Sequence, residues 1–184
     1  MTSIFRSGLV LSLWVSFFAL SGCGKAPVAE NSAGQSQTAQ QEVKAAVEQF
    51  LGAVRSGNDE AIFNMLSPDA RKVFGRDKLP SIPASDTADF RIDAVNLLND
   101  REAQVRTTMI DLDDTGQKVE DSIAWALRKT EEGWRIAGTA FVFFEDMDPI
   151  IINFESREAI AQAEAQVEAQ AKAVANRMQE FRNR

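Results

Sequence analysis

Few side chains in this chain can move protons. It contains no His, no Tyr and a single cysteine, Cys23, which leaves carboxylates and Lys for general acid–base work. Asp93 and Asp111 are the first acids to consider, because each falls on a stretch where a strand can border a cavity. The competing reading places both outward, as solvent-facing residues alternating with core positions. Asp111, Asp113 and Asp114 with Gly116 share the composition of a calcium loop. Such a loop needs spaced oxygen ligands and a distal Glu, so a hairpin turn is the simpler reading. Asp146 and Asp148 either ligate a cation or cap the helix that follows. Without His or further Cys no zinc site can be assembled, and neither a metal nor a cofactor is expected. Trp125, Trp134, Phe141, Phe143 and Phe144 are candidates for a ligand pocket or for the core.

The elements that would position these residues follow from hydrophobic period. Residues 24–40 are small and polar, with almost nothing large and apolar, and cannot offset their ordering entropy. They read as a flexible tether. From Glu42, the residues Val43, Ala46, Val47, Phe50, Leu51 and Val54 recur at three- and four-residue spacing, an amphipathic helix ended by Ser56-Gly57. Asn58 can cap a short second helix carrying Ala61, Ile62, Met65 and Leu66 inward. Ser67-Pro68-Asp69 starts a third, with Pro68 where its missing N–H costs nothing, Val73 and Phe74 buried, and Gly75 as the stop. A loop spans residues 79–87.

The period then changes to two. Phe90, Ile92 and Ala94 alternate with Asp89, Arg91 and Asp93; Val105, Thr107 and Met109 share one face of the next run. Asp113-Asp114-Thr115-Gly116 turns the chain. Val119, Ile123, Trp125 and Leu127 then lie on one face, and Glu132-Gly133 turns it again. The run 134–144 is apolar on both sides, as a strand covered on both faces should be. Three or four antiparallel strands are expected, closed by Pro149 and Ile150-Ile151-Ile152.

From Glu155 to Arg184 the chain has no Gly or Pro and is rich in Ala, Gln and Glu, which predicts a long helix. Acids crowd its first half and bases its second, complementing the helix dipole. Ile160, Val167, Val174 and Phe181 recur every seven residues, with Ala171 and Met178 between them and Glu164 breaking the seam. Thirty residues of helix span ~45 Å, more than the ~35 Å diameter of a body of about 110 residues. The stripe therefore either folds back on the domain or pairs with a protein partner or a second copy.

The amino-terminal segment carries Arg6 and then an apolar run from Gly8 to Leu20, 13 residues long. That is short of the roughly 20 needed to cross a bilayer as a helix, and it reads as a signal peptide. Leu20-Ser21-Gly22-Cys23 resembles the lipobox of bacterial lipoproteins. The resemblance implies diacylglycerol transfer to the Cys23 thiol, cleavage before it and acylation of the new terminus. It places the chain in the bacterial cell envelope. Gly24, rather than Asp, favours by family analogy the outer membrane facing the periplasm over the inner membrane. Two or three acyl chains hold a protein where one alone binds only marginally. Removal of residues 1–22 takes away Arg6 and no acid, moving the net charge from −7 to −8. So acidic a chain is poorly suited to nucleic acid, whose binding draws on Lys and Arg.

Helices followed by an antiparallel sheet, with the phrases VKAAVEQFLGAVRSGNDEAIFNMLSPDARKVF (43–74) and EEGWRIAGTAFVFF (131–144), resemble the nuclear transport factor 2-like superfamily. The resemblance covers about residues 41–146. It implies a long first helix across a bent sheet that leaves a conical cavity, an α+β fold. Function does not follow from it, since the superfamily includes enzymes, binding modules and scaffolds. Ketosteroid isomerases combine an Asp base with a Tyr and a protonated Asp, and this chain has no Tyr.

The expected organisation is a leader (1–22), a lipidated cysteine and tether (23–40), a cone-like domain (41–154) and a C-terminal helix (155–184). The expected function is a lipid-anchored, non-catalytic binding or scaffold module. The alternative is a small isomerase, dehydratase or hydrolase using a cavity carboxylate such as Asp93.

Overall fold

A computed structural model describes residues 31–76, 79, 88–113, 115–142 and 147–182. The leader, Cys23, Asp114, Phe143, Phe144 and Asp146 lie outside the described residues. Helix α1 spans Asn31–Arg55 and buries Val43, Ala46, Val47, Phe50, Leu51 and Val54, the stripe expected from spacing. It starts at Asn31 instead of Glu42, so half of the expected tether is helical. Residues 31–42 contain no Pro and are rich in Ala and Gln, good helix formers. Once the Val43 face is docked, extending the helix backwards adds hydrogen bonds without a new nucleation cost.

Two short helices complete the layer. α2 (Asp59–Met65) is capped by Asn58, whose side chain accepts from the Ala61 N–H at 3.0 Å. α3 (Pro68–Phe74) is capped by Ser67, which accepts from the Ala70 N–H at 3.2 Å, and ends at Gly75 with φ 65°. Substituting such caps by Ala typically costs about 1 kcal/mol. Ala70 is the fully buried residue of α3, while Val73 and Phe74 are half-buried. Phe74 packs edge-on against Phe154 at 5.4 Å.

The sheet is a five-stranded antiparallel meander in the order β1 (Asp89–Leu97), β2 (Glu102–Leu112), β3 (Lys118–Thr130), β4 (Gly133–Phe141), β5 (Ile150–Asn153). The fifth strand exceeds the three or four expected. A continuous Ile run does not alternate and so leaves no period-two signal. Two irregularities bend the sheet. One lies between Ile92 and Ala94 in β1, the other opposite Ala126/Leu127, where Ala137 is the extra residue of β4. Because of it, Ile136 and Thr139 can both face the helices while Ala137 is bypassed, the ordinary consequence of a β-bulge.

Helix α1 lies across β1, β2 and β4. The core between them contains Ala103, Val105, Ile123, Trp125, Leu127, Trp134, Ile136 and Phe154. A polar tie crosses the layers: Glu155 accepts from Ser67 Oγ at 2.8 Å and from Arg128 Nε at 2.6 Å. Arg128 also reaches Glu102 at 2.7 Å, so the segment after β5 is held to α3, β2 and β3 together. The carboxylates hold the Arg128 pKa above its usual value, Glu155 most of all.

Helix α4 (Arg157–Arg182) follows, with Ser156 Oγ accepting from the Ala159 N–H at 3.2 Å. The cap is therefore Ser156, not Asp146 or Asp148. α4 runs back along β5. Gln166 donates to the Pro149 carbonyl at 3.3 Å and Gln170 to that of Asp148 at 2.8 Å.

Candidate functional site

The bent sheet has a concave face toward α1 and an outer face toward solvent, and the candidate residues divide between them. Trp125 sits at the centre of the concave face, 1% exposed. Phe50 of α1 meets it edge-on at 5.2 Å. Its indole N–H donates to Thr107 Oγ1 at 3.0 Å, and the Thr107 hydroxyl donates to the Ile123 carbonyl at 3.3 Å. Trp134 is likewise buried, with the Lys129 ammonium 5.7 Å from its ring centre. Both residues are core rather than pocket wall: the bulky α1 stripe reaches into the space that smaller side chains would have left open. Phe141 is half-buried and packed against the same core.

Asp93 is not on the concave face. It is the residue bypassed at the β1 irregularity, and its carboxylate lies on the outer face with Arg91 and Thr108. Thr108 Oγ1 donates to it at 2.7 Å and Arg91 Nε at 2.9 Å. Arg91 also approaches Glu120, which Lys118 contacts at 2.6 Å. The Thr108 hydrogen bond, and then that of Arg91, hold the Asp93 carboxyl below its ordinary value of 3.8. A general acid needs the opposite shift.

The pH consequence can be checked. A depressed folded-state pKa contributes stability that is present above the unfolded value and lost as pH falls through the folded one. Asp93→Asn is therefore expected to flatten the decline of stability below about pH 4, read from denaturant midpoints across the acid range. An unchanged acid limb would mean that this ion pair is not formed in solution.

Asp111 lies apart from Asp93. It is half-buried near the end of β2, opposite Val119, and accepts from the Leu112 N–H at 2.8 Å. In the adjoining turn, Asp113 Oδ1 accepts from the Thr115 N–H, the Thr115 hydroxyl and the Gln117 N–H at 2.8, 2.6 and 2.8 Å. That carboxylate organises a hairpin whose Gly116 has φ 79°. The side-chain bond from Thr115 is the main cause of its lowered pKa.

One concavity was not anticipated. A groove of about 660 Å³ opens between α1 and β1, with Leu51, Phe90 and Ile92 among its walls and Lys44, Arg55 and Asp89 at its rim. The Arg55–Asp89 pair spans it at 3.3 Å. Neither Trp125, Trp134 nor Phe141 lines it. Phe90 and Ile92 were legible as one strand face, but their meeting with α1 depends on the crossing of helix and sheet.

The expected stripe of α4 divides. Ile160, Val167 and Val174 are half-buried on the side toward β5, with Ala163 and Gln170 buried among them. Ala171 is exposed and Met178 is 63% exposed. The first part of the stripe thus folds back on the domain and is closed to another chain.

Three helices over a bent antiparallel meander, followed by a long helix, define the cone-like α+β class that the sequence resemblance implied. Several solved structures are similar, three of them as follows. A ketosteroid isomerase-like protein from Erwinia carotovora atroseptica shares 18% identity over 53% of this chain and 90% of its own, with a TM-score of 0.36. A putative calcium/calmodulin dependent protein kinase II association domain from Xanthomonas campestris shares 16% over 70% and 100%, with a TM-score of 0.40. A domain of unknown function with a cystatin-like fold from Nostoc punctiforme shares 15% over 80% and 99%, with a TM-score of 0.39. No protein-family model and no curated protein matches the chain.

Proposed function

We propose that this chain is a lipid-anchored cell-envelope protein whose cone-like domain is a non-catalytic binding or scaffold module. The observation that carries the non-catalytic part is the packing of Phe50 on Trp125, with Thr107 beneath. With Trp125 1% exposed, the centre of the concave face holds interlocked side chains, which supports the non-catalytic reading. The acid put forward for catalysis, Asp93, is on the other face of the sheet in an ion pair. The anchoring part is supported by the apolar run before Leu20-Ser21-Gly22-Cys23, whose cysteine has no second thiol to pair with.

Cys23→Ser is expected to move the protein from the membrane fraction to the soluble fraction. Intact mass of the wild-type mature chain should begin at Cys23 and carry the added acyl groups. A bare thiol, or a start at another residue, would overturn the anchor.

A further inference from the structure

The α4 stripe continues past the point where the body ends. Beyond Val174, every described side chain from Ala175 to Glu180 is exposed, and so is Arg182. Met178 and Phe181 carry the seven-residue spacing onward. At about 100° per residue, Arg177 and Arg182 fall about 80° and 60° to either side of the line through Val174 and Met178. Glu180 falls about 140° away, on the back. Residues 172–182 hold three cations and one acid in a chain of net charge −7. The local charge thus opposes that of the whole, and the two arginines border the apolar strip.

We propose that residues 174–182 of α4 dock on an anionic lipid surface. The strip enters the headgroup boundary, and Arg177 and Arg182 reach lipid phosphates on either side, the arrangement of interfacial helices. The inference rests on the anchored reading. Seven residues lie between Cys23 and Asn31, a span of at most about 28 Å. A tether of that length raises the effective concentration at the membrane to the millimolar range, so a contact too weak to hold alone suffices. A second copy docked stripe to stripe, antiparallel about Met178, would set Arg177 beside its own counterpart. Flanking charges of like sign oppose such pairing.

The test places an environment-sensitive fluorophore at Met178→Cys in the full chain, extracted from membranes and reconstituted into vesicles. One set is phosphatidylcholine alone; the other contains about a third phosphatidylglycerol. The expected result is a blue shift and about twofold quenching by lipid-borne quencher in the anionic vesicles only. The same label at Asn176→Cys, on the back of the helix, should show neither. Arg177→Glu with Arg182→Glu should abolish both effects. Equal spectra in the two lipids overturn the proposal, as does quenching that depends on protein density alone, which would indicate a second copy. Intact mass of the preparation reports the anchor separately. If acyl groups are absent, the label is read in the Cys23→Ser background with anionic vesicles added at millimolar lipid. A shift there supports docking, and none overturns it.

Discussion

Trp125→Ala is expected to lower the free energy of unfolding by about 3–5 kcal/mol, the usual cost of truncating a large buried aromatic. The ring is 1% exposed and meets Phe50 edge-on at 5.2 Å. The loss therefore combines transfer of the indole, a cavity under α1 and a missing aromatic pair. With domain stabilities of about 5–15 kcal/mol, much of the total is at stake. Trp125→Phe separates the contributions. It keeps most of the ring contact but removes the N–H that Thr107 accepts at 3.0 Å, and about 1–2 kcal/mol is expected. Denaturant midpoints at constant slope would measure both. If Trp125→Ala cost less than Trp125→Phe, or if either raised stability, Trp125 would not be the centre of the core.

Gly138→Ala is the second large effect, and it acts on a different joint. An added Cβ would stand 2.6 Å from the Ile152 carbonyl oxygen, a backbone atom with no side-chain freedom to yield. β5 would have to move off β4, and the pairs Gly138↔Asn153 to Phe141↔Ile150 would open together. α4 packs on β5, so its first half loosens with them. About 1–3 kcal/mol is expected, as for other overpacked sites. Hydrogen exchange should show the loss concentrated at residues 150–153 and 159–174, with β2 and β3 protected as before. Uniform exchange across all strands would mean that β5 is not a separate, weaker unit.

Local features of the fold were legible because local chemistry sets them. Asn58 and Ser67 were readable as caps since a short polar side chain before an apolar run satisfies free N–H groups. The strand faces of Val105 and Thr107, and of Ile123, Trp125 and Leu127, followed from alternation alone. The bypassed residues at Asp93 and Ala137 were not legible, since one extra residue changes facing without changing the composition around it. The offset at Asp93 reversed Ala94, which alternation grouped with Phe90 and Ile92 but which pairs with Arg106 on the outer face; Asp93 keeps the outward facing it shares with Arg91. Gln166 and Gln170 were equally silent. Amides count as polar in any periodicity, yet here they fasten α4 to the carbonyls of Pro149 and Asp148.

The chain alone determined the order and type of its elements apart from β5 and the first turns of α1, its acidic balance, and the absence of His and Tyr, because these depend on residue identity and near-neighbour spacing. Only the tertiary structure decided that Phe50 and Trp125 interlock at the centre of the concave face, that a groove opens beside β1, and that the α4 stripe is half taken by β5. Those outcomes turn on how a helix crosses a bent sheet, where residues far apart in sequence compete for the same volume.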